Sequence, residues 1–328
     1  MIKTPICLLT ADNKPFNALI LSRIINVTVT DNRANEADEL SIELDDSDGA
    51  LELPKRGVKL NCKMGFSGEN LHDKGDFIVD ESEWSGTPDK IIVKASSANF
   101  KSKIKVAQSK SYHRKTFGEV ATEIAQKHTL QLIMTNQLKT IDLHHIDQTN
   151  ESDLNLLARL AKLNGAEMAV KKDRLLIFKA GSAKSASGKD LPTITLTRND
   201  GDQFRYSEQD RESDYTGVTA GYQNTGKAKR EIAHSGEKGK IKRIKGTFAN
   251  QAEAERAAHA KMAEIKRQMA KFSINLALGM PQISTESPVK LDGFKNKIDQ
   301  LNWIVEKATH SFAKNGGLTS QLELEASL

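Results

Sequence analysis

Three runs in the first hundred residues place an apolar side chain at every second position: Ile25, Val27, Val29; then Leu40, Ile42, Leu44; then Val58, Leu60, Cys62, Met64, Phe66. A period of two belongs to extended backbone, whose side chains point alternately to opposite faces. Shorter strand-like runs at 76–79 and 90–96 join them. Turn-forming residues separate the runs, at Asp12-Asn13, Asp48-Gly49, Pro54 to Gly57, Ser67-Gly68 and Gly86 to Asp89. Half-polar strands at this spacing predict an antiparallel barrel or sandwich with one wet face over residues 1–100.

The period then lengthens. Thr116 with Glu119 forms a capping box, and Phe117, Val120, Ala121 and Ile124 follow at helical spacing. A second helix is expected to open after Asn150, with Glu151 and Asp153 in its first turn, where the helix dipole favours acids. Its apolar stripe is Leu154, Leu157, Ala158 and Ala161, widened by Leu156, Leu160 and Leu163, and Gly165 ends it. A hairpin over 166–179, turning at Lys172-Asp173, completes a middle module over 101–180. Residues 180–190 are small and polar and read as a linker.

Strand patterns return at 193–197, 216–222, 241–248, 272–278, 301–308 and 318–326. One long helix over 250–272 interrupts them. Asn250 and Glu253 cap it, and Ala258, Met262, Ile265, Met269 and Phe272 form its stripe. A length of 328 residues is large for one core. The chain therefore reads as two β-rich units, 1–100 and 191–328, each accompanied by helix, with no visible identity between them.

Hydrophobic residues at 38% and charged residues at 28% fit a folded chain rather than a disordered one. No window nears the roughly 18 consecutive apolar residues of a membrane span, and the short apolar run before Asp12 does not read as a secretory signal. Cys7 and Cys62 lie inside strand-like runs and are expected as buried, reduced thiols, which suits a reducing cytoplasm. The net charge of +5 hides an asymmetry. Residues 31–52 hold nine acids against one base, and residues 226–245 hold eight Lys/Arg against two Glu. Such a split suits nucleic-acid binding or self-assembly. Segment 226–245 reads as a long mobile hairpin loop leading into a strand, solvated or facing another subunit. Its alternation of bases with Ile241 and Ile244 would also suit a positive channel touching phosphate. Aromatic content of 5% argues against base-stacking platforms.

Catalytic and ligand-binding patterns are sparse. His144 and His145 are neighbours, so on a strand they face opposite ways, and His113, His128 and Asp142 add no ligand spacing. No phosphate-cradling glycine loop, GxSxG elbow or HExxH helix occurs. A cell-wall glycosidase would need only two carboxylates. Glu81 and Glu83 share a strand face, and Asp45-Asp46 precede a turn, but neither pair sits in a recognisable motif. Both read as solvated or interface charges. No catalytic, cofactor-binding or metal-binding residue is assigned.

Three stretches carry a resemblance: RIINVTVTDNRANEADELSIELDDSDGALELPKRGVKLNCKMGF (23–66), GDFIVDESEWSGTPDKIIVKASSANF (75–100) and IDQTNESDLNLLARLAKLNGAEMAVKKDRLLIF (146–178). Together they resemble the phage late control gene D protein family, the baseplate hubs of contractile-tailed phages and tailocins. They are also similar to the N-terminal part of type VI secretion spike proteins. The likeness runs in order over almost the whole chain. It implies an α+β, mostly β fold: two tail-tube-like antiparallel β-barrels with a smaller helix-containing middle module. It also implies a homotrimer whose six barrels match the hexameric tail tube on one side and receive the trimeric puncturing spike on the other. The tape-measure protein is a further expected contact.

On this reading the chain is no enzyme and takes no cofactor or small-molecule substrate. It sits in the virion tail baseplate, encoded by a phage, prophage or tailocin and assembled in the host bacterial cytoplasm. Arg159 and Asp153 fit a docking or capping role. The alternatives are a cell-wall hydrolase component of the same machine, and a nucleic-acid-binding protein using 226–245 with Lys240, Lys242 and Arg243.

Overall fold

The computed structural model describes residues 3–33, 36–97, 102–171, 173–184, 187–208, 215–224 and 226–327. The chain opens with β1 (Pro5–Ala11), β2 (Lys14–Pro15) and a single-turn α1 (Ala18–Ser22). Five longer strands follow, β3 (Ile24–Asn32), β4 (Glu39–Asp45), β5 (Lys59–Phe66), β6 (His72–Ser85) and β7 (Lys90–Ser97). They pair antiparallel in the order β3-β4-β7-β6-β5-β1-β2. The two-residue period is realised: Val27, Val29, Leu40, Ile42, Leu60, Cys62 and Met64 are all buried. Cys62 is buried as expected, whereas Cys7 is only half-buried, and their free thiols lie 3.9 Å apart. The contact with Cys7, and then burial, push the Cys62 thiol up.

The middle of the chain holds β8 (Ala107–His113), α2 (Phe117–Lys127), β9 (Gln131–Met134), α3 (Asn136–Lys139), β10 (His145–Ser152), α4 (Asp153–Leu163), β11 (Ala166–Lys171) and β12 (Arg174–Lys179). Helices α2 and α4 bury Phe117, Val120, Ile124, Leu156, Leu157 and Leu160 in one core with Met168, Leu175 and Ile177 of the β11–β12 hairpin. Thr116 caps α2 as the sequence predicts. Its hydroxyl accepts from the Glu119 N–H at 3.2 Å, and the Glu119 carboxylate accepts from the Thr116 N–H at 2.7 Å. Thr116→Ala is expected to cost about 1 kcal/mol, read as a lower urea midpoint at unchanged slope.

The start of α4 is displaced from expectation. Strand β10 runs on through Glu151, and Ser152 is the cap, its hydroxyl accepting from the Asn155 N–H at 3.2 Å. An acid in a first turn and an acid at a strand end look alike in sequence, and here pairing with β8 decides. Gly165 ends the helix at φ +66°. The hairpin turn places Asp173 at φ +57°, while Lys172 lies outside the described residues. Within the 180–190 linker Lys184 bridges to Asp190, and residues 185 and 186 lie outside the described residues.

The C-terminal part contains β13 (Ile194–Thr197), β14 (Gly201–Glu208), β15 (Tyr215–Asn224), β16 (Lys229–Gly236), β17 (Lys240–Phe248), α5 (Gln251–Arg267), β18 (Ala270–Leu276), β19 (Pro288–Asp292), α6 (Asn296–Asp299), β20 (Asn302–Ala313) and β21 (Gly317–Ser327). Two expectations are corrected here. The long helix ends at Arg267, not 272: Phe272 faces the core from β18, and Met269 is exposed. The strand's alternation, Ala270, Phe272, Ile274, Leu276, outcompetes the helical stripe that Phe272 also satisfies. Segment 226–245 is not a mobile loop. Most of it forms β16 and β17, which flank β15 antiparallel and parallel in a sheet whose inner face packs on α5 through Val218, Ala220, Ala254, Ala258 and Met262. Strand β17 matches the strand pattern expected at 241–248, whereas lysine density hid β16, because only one face of a strand needs to be apolar.

The two β-rich ends share one sheet. Residues Lys307–Ala313 of β20 pair with Asn26–Asn32 of β3, giving a thirteen-stranded sheet with the path β14-β18-β21-β20-β3-β4-β7-β6-β5-β1-β2. Leu9 of β1 and Leu318 of β21 lie in the same core, so the sheet curls back toward its own middle.

Candidate assembly site

Where β3 leaves the shared sheet, three segments distant in sequence meet around Arg33. Its Nε donates to Glu286 Oε1 at 2.6 Å, and Nη1 donates to Glu325 Oε1 of β21 at 2.5 Å. Glu167 Oε2 of β11 lies 3.2 Å from Nε. Arg267, the last residue of α5, lies 3.2 Å from Glu325. All of these side chains are largely shielded from water. Burial works against the Arg33 charge, but the surrounding carboxylates outweigh it and hold the guanidinium fully protonated. With three acids to two bases, one carboxylate is in excess. Burial pushes Glu167 up to about 7 despite Arg33, and pushes Glu286 up as well.

A second cluster adjoins the first. Lys171 of β11 bonds Asp31 of β3 and lies 3.1 Å from Asp38. Asp31 also accepts from the Thr285 N–H at 3.2 Å, and Asp38 accepts from the Asn32 N–H at 3.0 Å. Burial disfavours the Asp31 charge, but Lys171 and Lys74 outweigh it and its pKa stays low. Asp38 goes the other way, up to about 7, because burial and the Asp31 charge together exceed the pull of Lys171. Lys74 of β6 donates to the Pro281 carbonyl at 3.0 Å, and burial lowers its pKa. His310 of β20 is buried between Ser320 Oγ and the Ile283 carbonyl, and burial holds its pKa down to about 3. A cavity of about 400 Å³ opens between these segments, lined by Asp31, Asp38, Lys74, Lys171 and Thr285.

These clusters fix how β3, the β11 hairpin and the C-terminal strands sit together. Sequence reading missed them. One signal was available: Asp31 continues the inward positions Val27 and Val29 of β3, and a charge at a core-facing position needs a partner. Lys171 and Thr285, which bond Asp31, are more than a hundred residues away and leave no local trace.

The residues singled out from sequence fall elsewhere. Glu81 and Glu83 share Lys94 at 3.3 and 3.8 Å on a half-exposed face. Asp45 accepts from the Ser47 N–H, Asp46 from the Leu51 N–H, and Asp48 pairs with Arg23, so these acids shape one turn. Much of the acidic segment is thus spent inside the chain rather than offered to a neighbour. Asp153 is a buried acceptor for Gln148 at 3.0 Å, Lys127 at 2.9 Å and His128 at 2.7 Å. Arg159 grips Glu151 at 3.0 and 2.7 Å, tying α4 to β10. His128 is therefore separate from the surface histidines. His144 sits by Asp142, while His145 meets His113. Among the described residues no three metal-ligating side chains gather. Lys240 and Lys242 of β17 both lie 5.4 Å from the Tyr215 ring.

The outward face of the shared sheet is more telling. Thr319, Ser311, Thr28, Ser41, Lys94 and Glu81 stand directly opposite one another across β21, β20, β3, β4, β7 and β6. A second row, Asp202, Asn275, Gln321, Thr309, Thr30, Glu39 and Ser96, crosses seven strands from β14 to β7. The sheet thus presents one continuous polar surface over an apolar underside. No helix among the described residues is long and apolar enough to cross a membrane.

A family described as "Phage tail baseplate hub (GPD)" matches residues 101–316. The probable baseplate hub protein of Escherichia phage 186 is 39% identical over 99% of this chain and 93% of its own length. The chain belongs to the phage tail baseplate hub family. It is a structural component of a phage tail baseplate and not an enzyme. The hub's fold is shared more widely. A tail protein from Neisseria meningitidis MC58 has a TM-score of 0.71 at 12% identity, covering 98% of the hub and 96% of that chain. An Escherichia coli component of the type VI secretion system has a TM-score of 0.59 at 11% identity, covering 98% and 77%. At such identities the likeness is one of fold.

Proposed function

We propose that three copies of this hub close into a ring that adapts a six-fold tail tube to a three-fold spike. The chain divides into a β unit over 1–100, a middle module over 101–180 and a β unit over 191–328, and the two β units act as tube-like barrels. Six such units then stand around one axis. Arg33 and Lys171 hold the middle module against both.

The observation that carries this reading is the polar sheet and its two ends. Eight strands run from β14 to β6 in one sheet. Within the described residues, β14 pairs only with β18, and residues 80–85 of β6 pair only with β7. Unpaired sheet edges invite another strand. Joining β14 of one copy to the far half of β6 of the next continues the sheet, and three copies close it around a wet lumen lined by the two polar rows. The contact is head-to-tail, so closure after three steps requires a fixed angle between the two β units. The buried ionic clusters supply that rigidity. The tail tube, the trimeric spike and the tape-measure protein are the proposed partners, met during assembly in the host bacterial cytoplasm.

Light scattering is expected to give about three times the 36.2 kDa of one chain for the pure protein, and that mass plus the mass of the trimeric spike for the protein co-expressed with its spike. In the trimer, amides of 201–208 and 80–85 are expected to exchange more slowly than in the monomer. A strict monomer in both preparations overturns the ring. A trimer without added protection at those strands overturns the seam.

A further inference from the structure

We propose that His113 and His145 form a surface chelate for one late first-row divalent transition-metal ion. This stands apart from the hub reading, since it concerns only the β8–β10 pair. The two histidines are directly opposed across these antiparallel strands. The neighbouring Arg114 N–H donates to the His144 carbonyl at 2.7 Å, which makes 113/145 a non-hydrogen-bonded pair, the kind that brings side chains closest. The rings lie nearly parallel, 27° apart, with Nδ1 facing Nδ1 at 2.9 Å.

Two ring nitrogens in that position can share only one proton. His145 Nε2 lies 3.0 Å from Asp147 Oδ2, so the His145 proton sits on Nε2 and its Nδ1 carries a lone pair. His113 Nδ1–H is the donor between the rings. When an ion enters, that proton moves to His113 Nε2, and both Nδ1 lone pairs face the metal with no net proton loss. Metal–nitrogen bonds of about 2.0–2.1 Å to nitrogens 2.9 Å apart subtend about 90° at the metal. That angle suits adjacent positions of tetragonal Cu²⁺ or Ni²⁺ better than tetrahedral Zn²⁺. Asp147 plays the supporting part that carboxylates play behind metal-bound histidines, fixing tautomer and ring orientation. Both rings are exposed, so entry is open, and the other coordination positions are left to water or to a neighbouring protein.

Sequence could not show this. The conspicuous pair, His144-His145, points apart, and the true partner of His145 is 32 residues away. The test is calorimetric titration of the full-length protein with Cu²⁺ and Ni²⁺, with the electron paramagnetic resonance spectrum of the Cu²⁺ form. One equivalent with a two-nitrogen signature is expected. His113→Gln and His145→Gln should each weaken binding by roughly tenfold or more. Asp147→Asn, which keeps both ligands, should weaken it by about tenfold. His234→Gln, on the distant β16, should leave it unchanged. All four positions are exposed, so circular dichroism should match wild type. Equal binding by wild type and His113→Gln, or a loss as large in His234→Gln, overturns the site.

Discussion

Arg33→Met is expected to lower the unfolding free energy by about 3–5 kcal/mol, the usual cost of removing one partner from a buried ionic cluster. The substitution keeps roughly the length of the side chain and removes its charge. Glu167, Glu286 and Glu325 then face only Arg267, and burial prevents water from taking over. Arg33→Lys should recover little, because a single ammonium cannot reach carboxylates from three directions as a guanidinium does. Arg33→Met with Glu167→Gln should recover part of the loss, since it removes the carboxylate in excess, and the positive coupling identifies the mechanism. Urea unfolding measures all of these. A loss under 1 kcal/mol for Arg33→Met would mean that the cluster relaxes into solvent and does not clamp the fold. If the clamp sets the angle between the β units in the proposed ring, the same variant should also form the proposed trimer less well at equal concentration.

What could be read from the sequence follows from how local the deciding physics is. The strands around Val27, Ile42 and Met64, the capped helix at Thr116 and the β11–β12 hairpin each announce themselves within a few residues. The family, too, was legible, because the stretch from Ile146 to Phe178 combines several such local signals in order. Failures occurred where two local signals conflicted or where the decision was remote. Phe272 satisfies both a helical stripe and a strand alternation, and pairing of β18 with β21 settles it. The basic segment ahead of the strand at 241–248 reads as a loop because its apolar residues are few, yet Ala233 is enough to seat β16 on α5. The pairing of β20 with β3 spans most of the chain, and no residue near either strand encodes it. The Arg33 junction and the His113–His145 pair are of the same kind.

That distinction bears on assembly. Local signals build each strand, while remote ionic contacts fix how one β unit meets the next, and the proposed ring depends on the second. Changes at the junction should therefore affect closure more than they affect secondary structure.

Stability is expected to fall as pH rises from about 5 to 7, and Glu167→Gln should make that slope shallower. Glu167 and Asp38 ordinarily ionise near 4.5 and 3.8, but burial carries both to about 7 in the folded chain. Between those limits the unfolded chain has lost these protons and the folded chain still holds them. The folded state therefore binds more protons, and each group removes up to about 1.4 kcal/mol per pH unit as pH increases. His310 acts in the opposite sense. Its folded pKa is about 3 against an ordinary 6.5, so the unfolded chain takes up a proton first on acidification, and stability from this residue grows with pH up to about 6.5. It roughly cancels one of the two carboxylates and leaves the other. Acids whose pKa is lowered, such as Asp31 and Asp153, contribute only below about 4 and do not enter this window. Glu167, Asp38 and His310 together give a loss of about 2–3 kcal/mol between pH 5 and 7 in the wild type, and Glu286, also raised by burial, adds to it in the same sense. In Glu167→Gln, Asp38 and His310 nearly balance, and the slope that remains is the share of Glu286, which burial also raises. Urea unfolding at half-unit pH steps, at constant ionic strength, distinguishes the two. If the variant keeps the wild-type slope, Glu167 is ionised in the folded hub and the excess charge at Arg33 is balanced by some other group.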